Sequence, residues 1–513
     1  MSAKIISEIQ SSQNGRASYL IPIIVIWGMT AAAFVGVVTV ETGLSDQLRS
    51  YYLVPWAFLT CAVVLSPSAY LLYKGKFDPF HPLVFAAWSY IFPAFVLGAL
   101  FISFGWVSPY FLAFIDDPQY NLPLSLIYVM IGFAGLTVGY ALPVGGYAAR
   151  KIEKILPSWD WKLSEVPVSG MLLLFAGMAI SILGFVQGII GYQRIVEIGV
   201  FDGLIFSLLV MATEGNTLIW LSFFGSKKRT IAVWIAVFIS IISVPIRMAL
   251  YGSRSSLLLS LFPIAMAFRY SGRRLKMWHA PVFAVLLAIA IAIGMIYGTT
   301  FRNLKTYEAN STPEDYLNTV GITLDYLSRE NFDALFSNGT EYLLGRVENL
   351  SSLGVVVANY EKLAPYEAAY GLENNILNDA WTAFIPRFLW PEKPVVADTS
   401  AYSELYFNYG ENSFAITPFG DLLRNFGPIG IPLGMALLGI YLRVIYSSLI
   451  ATDSPAIWKK VVFVPLLTNI SYEGFYSAIF PSIIRSGFVL LASLVAVNLI
   501  IKASRSLRAP RSI

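Results

Sequence analysis

Apolar residues come in long blocks along this chain, interrupted by short polar stretches. Blocks close to the ~20 residues that a helix needs to cross a bilayer stand near 18–40, 53–73, 82–104, 122–142, 167–190, 203–225, 231–250, 254–268, 280–300, 428–446, 461–480 and 484–501. The pattern predicts an all-α, polytopic integral membrane protein with about twelve transmembrane helices. The first block continues far enough to be a true span rather than a cleaved leader. Three parts follow: a bundle of about nine helices over 1–300, a large loop over 301–427, and about three helices over 428–513.

The loop changes character, with Asp, Glu, Asn, Ser and Tyr throughout. "TPEDYLNTVGITLDYL" opens on Thr312-Pro313-Glu314, a helix-start signal. "EYLLGRVENLSSLGVVVANYEKL" has the spacing of an amphipathic helix lying along a membrane surface. "SFAITPFGDLLRNFG" is too short and too polar to span, and suits a re-entrant element lining a cavity. Trp381 and Trp390 mark an interfacial belt. So long a loop without structure is rare in a compact protein unless it is functional, and the expectation is a small helical subdomain over one membrane face.

Composition agrees with burial in lipid. The chain has 513 residues, 57% hydrophobic and 13% charged, against about 25% charged in soluble domains; its mean hydropathy is +0.66. One cysteine, Cys61, leaves no intrachain disulfide. Charge then sets the orientation. With the N-terminus placed in the cytoplasm and the blocks alternating, 22 of the 35 basic residues fall on the inner side with only six acids. Short-loop Lys and Arg are the feature that fixes topology, so both termini are expected in the cytoplasm and the large loop outside, as a periplasmic subdomain.

The same parity places two arginines of "VPIRMALYGSRSSLLLSLF" (244–262). "KKR" at 227–229 and "RRLK" at 273–276 both fall inside, so the apolar stretch between them must cross twice. Its turn is expected at "LYGS" (250–253), which puts Arg247 and Arg254 beside a hairpin in the outer leaflet instead of at the bilayer centre, where a guanidinium costs roughly 2.5–3.5 kcal/mol.

Outer-side arginines near membrane ends are Arg194, Arg247, Arg254, Arg302, Arg387, Arg424 and Arg485, with Lys393 close by in sequence to Arg387. Arginine's planar fork binds phosphate bidentately and stays charged on burial, so the set suits a lipid-linked diphosphate held without a metal. Snorkelling to headgroups or pairing with acids explains single members equally well. Glu214 and Glu473 are expected deep within spans, where an acid is a functional candidate by default. Glu404, Glu411 and Asp421 occupy the polar end of the loop. His81 and His279 both fall at inner helix ends, so a general base on the outer face is a carboxylate, a tyrosine or absent. No Walker loop, zinc spacing or Gly-x-Ser-x-Gly element occurs, and "GLTVG" (135–139) is apolar helix without a phosphate-loop context.

Through "GYQR" (191–194), "YGSRSSLL" (251–258), "IPRFLWPEKP" (385–394), "TPFGDLLRNFGPIGIPLGMALLGIYLR" (417–443) and the long late loop, the chain resembles the bacterial oligosaccharide repeat-unit polymerases, the Wzy-type O-antigen and exopolysaccharide polymerases. The resemblance covers most of the chain as architecture and these patches as sequence. It implies an inverting, metal-independent GT-C-type glycosyltransferase without cofactor. Such an enzyme moves a glycan from undecaprenyl diphosphate onto an incoming lipid-linked repeat unit in polysaccharide biosynthesis. Arg194, Arg254, Arg387 and Arg424 would bind the diphosphate and stabilise its departure, with Arg247, Arg485 and Lys393 as further cations. Glu411, Asp421, Glu473 or Glu214 would take the acceptor proton, Glu411 and Asp421 being the more accessible. Membrane lipids, a chain-length regulator and a flippase are the expected partners, and nucleic acid is not. An O-antigen ligase shares the architecture but is expected to use a loop histidine, which this chain lacks. A flippase should show two similar halves, and no internal repeat is visible.

Overall fold

The computed structural model describes residues 51–107, 109–190, 199–251, 254–272, 300–301, 313–329, 343–385, 387, 389–410, 413–452 and 455–508. Among them the chain is helical throughout, without strands. The helices are α1 (Val54–Tyr73), α2 (Pro82–Ser103), α3 (Pro118–Ala141), α4 (Pro143–Ile155), α5 (Val166–Val186), α6 (Asp202–Gly225), α7 (Ile231–Tyr251) and α8 (Arg254–Tyr270). They continue with α9 (Pro313–Arg329), α10 (Leu350–Glu367), α11 (Asn375–Thr382), α12 (Thr399–Phe407), α13 (Thr417–Leu449), α14 (Ile457–Thr468) and α15 (Tyr476–Arg508). Among the described residues seven helices are long and apolar enough to cross a membrane: those beginning near Tyr51, Pro82, Pro118, Val166, Asp202, Thr417 and Tyr476. The expected spans at 18–40 and 280–300 lie outside the described residues, apart from Thr300.

The 231–270 stretch holds two helices, α7 to Tyr251 and α8 from Arg254, with residues 252–253 outside the described residues. Both of its ends lie at one place, since Trp234 near the start of α7 and Ser271 just past α8 border the same cavity. Ion pairs sort the molecule into two faces. Asp78 with Arg269, Glu153 with Lys459 and Glu165 with Arg505 join segments that the alternation puts on one side. Asp116 with Lys362 and Glu367 with Arg424 join segments on the other. The first is called here the basic face and the second the loop face.

Two apolar cores sit side by side. One gathers α1, α2, α3, α10, α12, α13 and the start of α15; the other gathers α5 to α8, α14 and the end of α15. Tyr441 and Tyr446 of α13 pack against both. Small residues let backbones approach where lipid offers no hydrophobic drive. A Cβ on Gly139 of α3 would stand 2.0 Å from the Ala436 carbonyl, and one on Gly439 of α13 would stand 2.1 Å from that of Leu136. The glycines of "GLTVG" are thus the seam between α3 and α13.

Three expectations are corrected. The segment 341–363 is not one amphipathic helix on a surface. Its chain leaves helix at Glu348 and Asn349, and α10 then starts with eight residues, Leu350 to Val357, that are all buried. "LSSLGVVV" carries no charge on any face, so it packs all round, and polar exposure begins only at 358. The spans 461–480 and 484–501 are divided differently too. α14 stops at Thr468, residues 469–475 are non-helical, and α15 runs unbroken from Tyr476 through Pro481. Ile470, Tyr472 and Phe475 are buried in protein, the condition under which irregular backbone is tolerated at membrane depth. Glu473 therefore lies in this break rather than inside a helical span. Third, α13 joins the loop to a span directly: Gly427, at φ 68° and ψ −170°, kinks it. A Cβ on Gly434 would meet Leu422 at 2.3 Å, a closeness that twelve residues of straight helix, about 18 Å long, would forbid. Residues 417–426 thus fold back on 428–449 as part of one element rather than standing apart from the span.

Candidate functional site

The folded-back half of α13 carries Asp421 and Arg424 three residues apart on one helix face, and both end up buried. Arg424 Nη2 meets Asp421 Oδ1 at 2.9 Å and Nη1 meets Glu367 Oε2 at 3.0 Å. The guanidinium also donates to the Leu372 carbonyl (2.8 Å) and Asn375 Oδ1 (2.6 Å). Asp421 accepts further from the Ser477 amide (3.0 Å) and Asn425 Nδ2 (3.2 Å), and Tyr406 donates to Glu367 (3.0 Å). Burial pushes the Glu367 carboxyl up, against the pull of the Arg424 charge. One cation among two acids leaves no surplus positive charge, and the guanidinium is fully enclosed. This hub ties the loop (α10, α11) to α13 and α15.

One helix turn away the balance reverses. α11 packs on α15, and its Asp379 accepts from the Ala397 amide at 3.0 Å. Beside it, Lys393 reaches back to the Thr382 and Ile385 carbonyls (2.5 and 3.0 Å). Arg387 closes its own loop through the Pro391 and Pro394 carbonyls (3.3 and 3.2 Å), and Arg485 Nε donates to the Pro481 carbonyl (3.2 Å). Burial first, then the neighbouring charges of Arg485 and Arg387, hold the Lys393 ammonium below the ordinary lysine range. Burial likewise raises the Asp379 carboxyl. Among the described residues none of these three cations has a carboxylate within ion-pair distance. Three cations thus gather around one acid. The rings of Trp381 and Trp390 stack at 5.8 Å over the same loop, with Trp381 about half exposed.

Of the proposed carboxylates, Asp421 is saturated inside the hub. Glu214 is fully buried in the other core, accepting from Ser493 Oγ at 2.6 Å, and Ser493 lies sixteen residues down α15 from Ser477, about 24 Å along the axis. Glu473 is the accessible one among the described residues, 44% exposed and 3.3 Å from Arg346. Its carbonyl accepts from the amide of Thr417 (3.1 Å), a β-branched residue held at φ 63°, a backbone conformation that persists only where surroundings impose it. Arg247 is buried, lies 6.0 Å from the Tyr251 ring and is not joined by any described contact to the Lys393 cluster. Arg194, Arg302 and Glu411 lie outside the described residues, and Arg254 is described only as the first residue of α8. Among the described residues no three His, Cys, Asp or Glu side chains gather for a metal ion.

Sequence reasoning passed over Glu348, Glu367, Asn375 and Asp379. Glu348 is buried, and its carboxylate accepts from the Ser351 amide and hydroxyl (2.7 and 2.5 Å) at the start of α10. Burial pushes it up to about 7. An acid just before an apolar run is a helix-start signal that could have singled it out; the other three carry no local mark. No protein-family model, curated protein or solved structure matches this chain.

Proposed function

We propose that the loop face binds a lipid-linked diphosphate and transfers its glycan to a second lipid-linked acceptor, the reaction of an oligosaccharide repeat-unit polymerase. The observation that carries this reading is the uncompensated cluster of Arg387, Lys393 and Arg485. Fixed by backbone carbonyls and short of acids, it offers preorganised positive charge for a diphosphate as its bond to the sugar breaks, the kind of electrostatic stabilisation that needs no reorganisation at the moment of reaction. The stacked, half-open Trp381–Trp390 pair offers apolar ring faces to sugar beside it. Glu473 is the base that takes the acceptor proton, its backbone fixed by Thr417 and its carboxylate oriented by Arg346. Arg424 and Asp421 move from chemistry to positioning, because both are enclosed and their charges are paired within the hub.

The experiment is to incubate the purified protein with undecaprenyl-diphosphate-linked repeat units, without nucleotide sugar or added metal, and resolve the products. A ladder spaced by whole repeat units is expected. Transfer of one sugar only, or transbilayer movement without any product, would refute polymerisation and point to another transferase or to a flippase.

A further inference from the structure

The opposite face carries a basic concavity. Two concavities of about 630 and 610 Å³ open there and share Gly225 and Ser271 in their walls, so they form one groove between the ends of α6 and α8. Each is within the roughly 300–1,000 Å³ range of small-molecule sites. Lys227 and Arg229 line one part, Lys162 and Lys460 the other, against a single acid, Asp160. Among the described residues none of the four cations is in an ion pair. Positive residues on one face serve topology, but topology requires neither a groove nor ordered aromatic walls. Here the Arg229 guanidinium lies 4.1 Å from the Phe223 ring centroid and 5.6 Å from that of Trp234, which holds it at the mouth. Trp159 and Trp161 stack at 5.7 Å with their planes 4° apart, and Trp161 Nε1 is fixed to Asn498 Oδ1 at 3.2 Å. Pro455, Ala456 and Ile457 put the N-terminus of α14 into the same wall, and a helix N-terminus favours phosphate oxygens.

We infer that this groove seats the headgroup of an acidic phospholipid, with Lys227 and Arg229 on the phosphodiester and the indoles against the glycerol and the first acyl carbons. Basic pockets between transmembrane helices are suited to such headgroups, and indoles are suited to the interfacial depth at which glycerol lies. The site does not depend on what the loop face does.

The test is native mass spectrometry of the full chain titrated with phosphatidylglycerol, phosphatidylcholine or inorganic phosphate. Retention of phosphatidylglycerol at concentrations at least tenfold below phosphatidylcholine is expected. The double substitution Lys227→Gln with Arg229→Gln should weaken it about thirtyfold, at the strength single basic residues show towards anionic headgroups. Lys228→Gln, an exposed cation outside the groove wall, should leave it unchanged. Helicity by circular dichroism and a monodisperse profile certify that each variant is folded. Equal retention of the two lipids, an equal loss in Lys228→Gln, or displacement of lipid by millimolar inorganic phosphate would each overturn the assignment.

Discussion

Two cationic groups sit a short distance apart on the loop face and differ in one respect. The Arg424 hub is closed: Glu367 and Asp421 neutralise the guanidinium, and the Leu372 carbonyl and Asn375 Oδ1 accept further from its two Nη atoms, only the buried Nε being left without a partner among the described residues. The Lys393 cluster is open: its charges are propped on carbonyl oxygens, which orient a cation without cancelling it. An arginine near a membrane end is therefore not a ligand-binding residue by virtue of its position. What separates a structural cation from a binding one is whether the fold supplies its counter-charge. From sequence Arg424 stood level with Arg387 among the expected diphosphate ligands, and its surroundings give it the other role.

The difference predicts opposite mutant phenotypes. Arg424→Ala leaves two buried carboxylates unpaired, and breaking a buried pair costs about 3–5 kcal/mol. Thermal melts of the purified variant should show most of the stability lost, or no folded protein recovered; a normal melt would mean that the hub is not closed. Arg485→Ala removes charge from the open cluster, so its melt should change little while glycan transfer falls about 10²–10³-fold, the scale for losing one electrostatic stabiliser of a developing charge. Glu473→Gln should behave similarly for transfer, with a loss of about 10²–10⁴-fold expected for a general base, and with diphosphate binding retained.

Glu348 gives a pH test that touches neither group's charge. Its carboxyl is raised in the fold to about 7, so the stability it contributes is present below its unfolded pKa and is lost as pH rises through about 7. Melts of the wild type should therefore weaken between pH 5 and 8 more than those of Glu348→Gln. Parallel profiles would show that Glu348 does not titrate there. The smallest effect belongs to the solvent pair Arg329–Asp325 on α9, both more than half exposed. Asp325→Ala should cost no more than about 0.5 kcal/mol, which calibrates the hub against an open ion pair.

Much of the fold could be read from the pattern of apolar blocks and basic loops. The α7–α8 hairpin follows from "KKR" and "RRLK" standing on one side, and the folded-back half of α13 from "SFAITPFGDLLRNFG" being too polar to span. Hydropathy misplaced the α14–α15 break because the strongly apolar residues on both sides of "NISYEGF" (469–475) outweigh its Asn, Ser, Glu and Gly over a span-length window, while Ile470, Tyr472 and Phe475 are taken up by the protein core. It missed the depth of α10 for a related reason. "LSSLGVVVA" pairs a helical period with small residues, and whether such a helix lies on a surface or packs inside the protein is decided by its neighbours. The site was legible only in part. Arg387, Lys393 and Arg485 were all among the expected cations, but their company was not, since Asp379 and Glu367 acquire meaning only when α10 and α11 dock on α13 and α15.

The most direct measurement is equilibrium binding of a short-chain polyprenyl diphosphate to the wild type and to Lys393→Ala, each shown to be folded by an unchanged melt. The account predicts that the substitution weakens binding at least tenfold and that the polyprenyl monophosphate binds the wild type more weakly than the diphosphate does. Equal affinity in the two proteins would contradict the claim that the open cluster is the diphosphate site.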